Sequence, residues 1–263
     1  EFHGYDPRAL ISSLKPALPD LEHVIVMRSE AKGEEKAFDA LAEDSSWESV
    51  QGSDYLERFR PRSTDPLLVM VSSGTTGMPR CTAFCDEASA TRTIRHYGQF
   101  ATHLTDADIG AAIAPAGTGA TGYVYPVLAP LLFGATAILL ERWSGADADQ
   151  ALDMTVNNRC TFMTVIPTQL VKLVDAAKKG AARDYSLLRF IVYAGAKLAD
   201  SVAVEAENTF GCPVISAYGA TEASALSMVS IDDNAERRRT IGRVLEGVEA
   251  KIVDDDGNAV PAG

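Results

Sequence analysis

Residues 67–80 read Leu-Leu-Val-Met-Val-Ser-Ser-Gly-Thr-Thr-Gly-Met-Pro-Arg, an apolar run emptying into a loop of small and hydroxylated residues. A strand that enters such a loop can turn backbone N–H groups and hydroxyls toward a phosphate, and Gly74 and Gly77 let the main chain come close. A plain surface turn can have the same composition, so the loop acquires meaning only from what surrounds it.

Working outward, further apolar runs lie near 109–114, 135–140, 161–165, 190–194 and 213–217. They alternate with segments of helical periodicity at about 86–102, 120–133, 146–158, 168–179 and 199–210, with Pro167 placed to open one of them. This alternation predicts an α/β fold, a layered and mostly parallel sheet with flanking helices. Before it come a short strand at His23–Met27 and an acidic, polar stretch from Ser29 to Asp65. After it, residues 248–253 alternate like a half-exposed strand and run into the turn signal Asp254-Asp255-Asp256-Gly257-Asn258. We therefore divide the chain into a partial N-terminal region and linker (1–65), a nucleotide-binding core (66–240) and the start of a small, truncated β subdomain (241–263).

Composition narrows the function. The 263 residues are 46% hydrophobic and carry a net charge of -12, which disfavours binding to a nucleic acid backbone. Arg237-Arg238-Arg239 accordingly reads as a solvated charge run. The four cysteines form no CxxC pair; Cys81 and Cys85 suggest a buried pair of thiols on one helix face, and a reducing cytoplasm fits best. His96 and His103 fit a partly exposed helix face. No signal peptide is visible, and the apolar region 109–140 is broken by Pro115, Pro126 and Pro130, which argues against a membrane span and for a buried strand, helix and strand.

Two nucleotide motifs compete. Gly117-Thr118-Gly119-Ala120-Thr121-Gly122 satisfies GxGxxG, and Glu141 follows about 20 residues later, as a dinucleotide oxidoreductase would require. The prolines in the following helix count against it. The rival is Ser216-Ala217-Tyr218-Gly219-Ala220-Thr221-Glu222, where an aromatic can stack on a base, a threonine can reach a phosphate and a carboxylate can hold magnesium. Loops at the carboxyl ends of parallel strands converge, so this segment and 72–80 would face one cleft.

Together these motifs resemble the adenylate-forming (AMP-binding) superfamily of acyl-CoA synthetases, luciferases and peptide-synthetase adenylation domains. SSGTTGMPR is similar to its phosphate loop, FIVYAGAKLAD (190–200) to its adenosine-contacting segment, SAYGATE (216–222) to its adenine and magnesium motif, and 241–263 to the entry of its β subdomain. The resemblance implies that Ser72, Ser73, Gly74, Thr75, Thr76 and Gly77 surround the phosphates. It implies Gly195, Ala196 and Lys197 near the adenosine, Tyr218 on the adenine beside Gly219, Thr221 near the phosphates and Glu222 on Mg²⁺. Thr75, Thr76, Arg80, Thr221 and Glu222 are the catalytic candidates. ATP and coenzyme A are the implied cosubstrates of a small carboxylic acid, aliphatic or aromatic, held by parts of 115–123, by Tyr193 and Ala194, and by Ala217–Ala220.

The chain departs from the pattern in three ways. Arg80 stands where the family usually has Lys, and Ile113–Gly119 lacks the usual aromatic-His element. The family's Thr-Gly-Asp, hinge and C-terminal domain with its catalytic lysine would come after residue 263. These residues therefore read as a fragment of an acyl-CoA synthetase lacking full activity, with the C-terminal domain of the same enzyme as its missing partner. A non-catalytic nucleotide-binding protein is the alternative. The sequence is silent on assembly, and a homodimer stays open.

Overall fold

The computed structural model describes residues 6–72, 78, 80–85, 92–117, 119–143 and 147–260. Contacts divide the chain into two units, Glu1–Arg60 and Pro61–Gly263.

The first unit holds helix α1 (Arg8–Leu14), strands β1 (Ile25–Val26) and β2 (Lys36–Ala37), and short helices α2 (Phe38–Glu43), α3 (Ser46–Val50) and α4 (Tyr55–Arg58). None of its described residues is buried. The polar composition leaves too little apolar surface for a core, so side-chain ties do the holding. Arg8 donates 2.8 Å hydrogen bonds to Ser29 Oγ and to the Glu30 carbonyl, and Lys15 pairs with Glu34 at 2.7 Å.

The second unit opens with the hairpin of β3 (Pro66–Ser72) and β4 (Arg80–Cys85). Its main sheet has seven strands. Five are parallel, β5 (Ile109–Ala112), β6 (Thr136–Leu139), β7 (Phe162–Val165), β8 (Phe190–Tyr193) and β9 (Val214–Ala220). Antiparallel β10 (Ser224–Met228) and β11 (Arg243–Val244) extend one side, giving the order β11-β10-β9-β8-β7-β5-β6.

Strand periodicity sends alternate side chains to two cores. Met163, Val165, Ile191 and Val214 pack against helices α6 (Ala148–Asn157), α7 (Pro167–Lys179) and α8 (Asp200–Phe210). Phe162, Phe190, Val192, Ile215 and Ala217 face the other way, toward two π-helical segments, His96–Ala101 and Ala120–Leu128, the second continued by α5 (Ala129–Leu132). Pro126 lies inside the longer π-helix. A proline cannot donate to the ladder and crowds the preceding turn, which explains why this expected helix is not a regular α-helix. It also removes the ordinary helix that the dinucleotide reading of Gly117–Gly122 required.

Within the described residues the predicted strands and helices of the core thus appear in order, residues 86–91 of the first expected helix lying outside them, with four corrections. Arg80, expected at the end of the loop, opens β4, which runs on to Cys85. Residues 248–253 form no strand; a single bridge joins Val253 to Ala259, while β11 forms earlier. Cys81 is exposed and Cys85 half-buried on that strand, not a buried pair on a helix. His103 lies past the π-helical turn at φ 49° and bonds Asp232 at 2.7 Å. Among the described residues no helix is long and apolar enough to cross a membrane.

One buried polar network fixes the lower end of the sheet. Asp108 accepts from Arg189 Nη1 at 2.6 Å, Thr161 Oγ1 at 2.7 Å and the Thr105 N–H at 2.9 Å. Arg189 also donates to the Thr102 carbonyl, tying the end of the first π-helical segment to β5 and β8. Burial acts to raise the Asp108 pKa, but these hydrogen bonds and the Arg189 charge outweigh it and hold the carboxyl below its ordinary range.

Candidate nucleotide site

The carboxyl ends of β8 and β9, the end of β3 and the loop before the long π-helix enclose a cavity of about 480 Å³. Its wall includes Ser72, Gly117, Gly119, Gly195, Gly219, Ala220 and Thr221. Gly195 and Thr221 meet here because the parallel strands β8 and β9 end on one edge, and the β3–β4 hairpin brings Ser72 to the same cavity. Ser72 Oγ is buried on this wall and has no hydrogen-bond partner among the described residues. Ser73, Gly74, Thr75, Thr76 and Gly77 lie outside the described residues. Arg80, at the start of β4, is exposed and is not among the lining residues.

A second cavity of about 460 Å³ shares Gly195, Ala217 and Gly219 with the first. It is lined further by Tyr193, Ala196, Lys197, Tyr218 and Thr240. Gly195 has φ +91°, a left-handed conformation in which glycine carries no steric penalty. Gly219 is needed for a different reason: a Cβ there would lie 2.1 Å from the Ser224 carbonyl oxygen across the β9–β10 pair. Tyr218 is half exposed, so its ring is available as a stacking surface.

Glu222 is exposed on the turn between β9 and β10. Its carboxylate forms no ion pair among the described residues. No group of three or more metal-ligating side chains occurs among the described residues. A single carboxylate suits magnesium, which commonly takes one or two carboxylates and completes its shell with phosphate oxygens and water.

The geometry corrects two expectations. Tyr193, expected in the acyl pocket with Ala194, lines the second cavity, whereas Ala194 lines the first. Arg238 and Arg239 are not a solvated run: both side chains are largely buried and both pair with Glu207. Glu207 also accepts the Val214 N–H at 3.1 Å, and Ser216 and Ser227 donate to the carbonyls of Thr240 and Ile241. The segment after β10 is thereby fastened across β9 as a wall of the second cavity. Arg239 lines that cavity, which the composition of the run could not indicate.

Sequence reasoning also missed Tyr125, which lines the first cavity from inside the π-helix. It lies two residues beyond 115–123, in a stretch whose π-helical turn the sequence does not show, although a tyrosine on an otherwise apolar face is itself a signal. Cys160 and Cys212 are buried, with burial raising their thiols to about 11 and about 12, so neither is a nucleophile at neutral pH.

The comparisons agree with this geometry. The AMP-binding enzyme family matches residues 3–263. The chain is 30% identical over 259 residues to a medium-chain fatty-acid–CoA ligase of Escherichia coli (strain K12), covering 98% of this chain and 43% of that protein. It is 30% identical over 272 residues to triostin synthetase I of Streptomyces triostinicus, covering 100% of this chain and 45% of that one. The crystal structure of the anthranilate CoA ligase AuaEII in complex with anthranoyl-AMP superposes with a TM-score of 0.81 at 27% identity, over 98% of this chain and 47% of that chain. The chain thus spans less than half the length of the relatives it matches, and it belongs to the AMP-binding enzyme family.

Proposed function

We propose that this chain is the nucleotide-binding core of an ATP-dependent acid–thiol ligase of the acyl-CoA synthetase type. The observation that carries the proposal is the meeting of Ser72, Gly195, Gly219 and Thr221 on one cavity, with Tyr218 on the adjoining one. In this reading the substrate carboxylate attacks the α-phosphorus of ATP and pyrophosphate leaves. The thiol of coenzyme A then takes the acyl group and AMP departs. The carboxylate is already ionised at neutral pH, so the protein's task is alignment and neutralisation of phosphate charge.

The residue roles carry over from the motif resemblance. Ser72 through Gly77 and Thr221 surround the phosphates, with Thr75, Thr76 and Arg80 supplying further donors. Tyr218 stacks on adenine, while Gly195, Ala196, Lys197 and Gly219 border the adenosine. Glu222 holds Mg²⁺, which when bound neutralises phosphate charge. The ribose-holding Thr-Gly-Asp and the late lysine belong to polypeptide outside these residues, as does the C-terminal domain. Residues 1–65, 66–240 and 241–263 keep the roles of N-terminal region, core and entry to a β subdomain. The four free cysteines support a cytoplasmic setting.

The test is carboxylate-dependent exchange of pyrophosphate into ATP by full-length protein containing this chain, across aliphatic and aromatic acids. Exchange with one of these acids supports the reading, whereas ATP binding without exchange moves it to a non-catalytic nucleotide-binding protein. In the same assay Glu222→Gln, on an exposed turn, leaves stability within about 0.5 kcal/mol while lowering exchange at limiting magnesium. Unchanged exchange there would remove Glu222 from the metal site.

A further inference from the structure

The first cavity is closed at its inner end. Ala194 and Ala217 line it, and two residues earlier on the same strand faces lie Val192 and Ile215, paired in register with Thr164. Thr164, Val192 and Ile215 are fully buried. Tyr97 and Tyr125 pack over this face with ring centroids 4.9 Å apart, and Tyr97 too is fully buried. Among the described residues these side chains stand in the way of a long alkyl chain entering the cavity.

That inner end is apolar in outline but carries several hydroxyls. Among the described residues the buried Tyr97 OH and Thr164 Oγ1 meet no partner but each other, without forming a hydrogen bond of good geometry. In front of them, Tyr125 is 2% exposed and lines the cavity directly. Burial alone raises its phenol, with no hydrogen bond offsetting it, so it is neutral and can both donate and accept. Buried polar groups are ordinarily satisfied, because an orphan forfeits its water without compensation. The Ser224 and Thr93 hydroxyls, by contrast, satisfy each other at 2.9 Å. No lining residue among those described is charged, so a second carboxylate or an ammonium on the ligand would find no counter-ion.

Resting on the function proposed above, we infer that the acid is compact and ring-sized, with a neutral hydrogen-bonding substituent, a hydroxyl or an aromatic amine, that Tyr125 reads. Tyr125 is then a specificity-determining residue, and long-chain fatty acids are excluded by the floor behind it. A site built to hydrogen-bond a substituent rejects the analogue lacking it more strongly than an apolar pocket rejects a methylene, because the protein hydroxyl is left unpaired.

The experiment measures binding of acyl-sulfamoyl adenosines, stable mimics of an acyl adenylate, to full-length protein containing this chain by calorimetry, with AMP as the control for the nucleotide site. The probes are the benzoyl form, its ortho, meta and para hydroxy derivatives, and a dodecanoyl form. At least one hydroxybenzoyl probe binds about tenfold more tightly than the benzoyl probe, and the dodecanoyl probe binds more weakly than either. Tyr125→Phe, which keeps the ring, reduces the hydroxyl preference to within about twofold while AMP still binds. Equal affinity for all benzoyl probes with AMP binding intact overturns the inference and leaves the nucleotide reading standing. A preference lost in Tyr97→Phe but kept in Tyr125→Phe overturns the role of Tyr125. Failure of AMP and every probe to bind overturns both readings.

Discussion

The two faces of the central sheet are built from the same strands yet do different work. On the side of α6, α7 and α8 the buried polar Gln169 has both ends satisfied: its amide nitrogen donates to the Ile113 carbonyl at 3.1 Å and its oxygen accepts the Ile166 N–H at 3.0 Å. On the side of the π-helical segments, the buried Tyr97 and Thr164 hydroxyls have only each other among the described residues, and a cavity opens at the strand ends. Regular helices can seal a sheet completely, whereas a widened, proline-containing helix leaves room. The first face supplies stability, and the second trades some of it for a binding site.

This contrast can be broken most severely on the face of α6, α7 and α8. Leu173 is fully buried between α7 and the sheet, so Leu173→Ala costs about 3 kcal/mol in chemical denaturation. A cost under about 1 kcal/mol would mean that this face is looser than described. The same substitution leaves AMP affinity at temperatures well below melting unchanged, because no atom of Leu173 lines either cavity.

Next in size is the network beneath the site. Asp108→Ala strips Arg189 of its carboxylate and costs about 2 kcal/mol, discounted because Arg189 is partly exposed. Since the folded pKa of Asp108 is depressed, its contribution is fully present above the ordinary aspartate value and is lost as pH falls through the lower folded value. Wild-type stability therefore declines on acidification through that window more steeply than that of the variant. Parallel pH profiles would remove Asp108 from the account.

The smallest change in stability is expected at the site itself. Gly219→Ala forces the β9–β10 pair apart, because the added methyl would meet backbone that cannot swing away. The expected cost is about 1–2 kcal/mol, accompanied by loss of AMP binding out of proportion to it. Equal affinity for AMP would show that the two cavities do not need this close approach.

Much of this arrangement was legible beforehand. The apolar runs at 109–114, 161–165, 190–194 and 213–217 gave strands because short β-rich runs between helical periodicities have few alternatives. SAYGATE and the GAK of 195–197 were placed on the right edge because they follow those runs directly. The π-helices were hidden, because Pro126 announces a disturbance without specifying its form. The strand at 80–85 was hidden as well, since Arg-Cys-Thr-Ala-Phe-Cys gains its structure from pairing with 66–72.

By itself the sequence determined the α/β order, the motif residues and their common edge, since periodicity and local chemistry are written along the chain. Only the tertiary structure decided that Arg239 and Tyr193 share one cavity while Tyr125 and Ala194 share the other. Only it decided that Glu207 turns a basic run into a wall. Those outcomes depend on which buried groups find partners across distant segments, and pairing of that kind leaves no period or spacing to read.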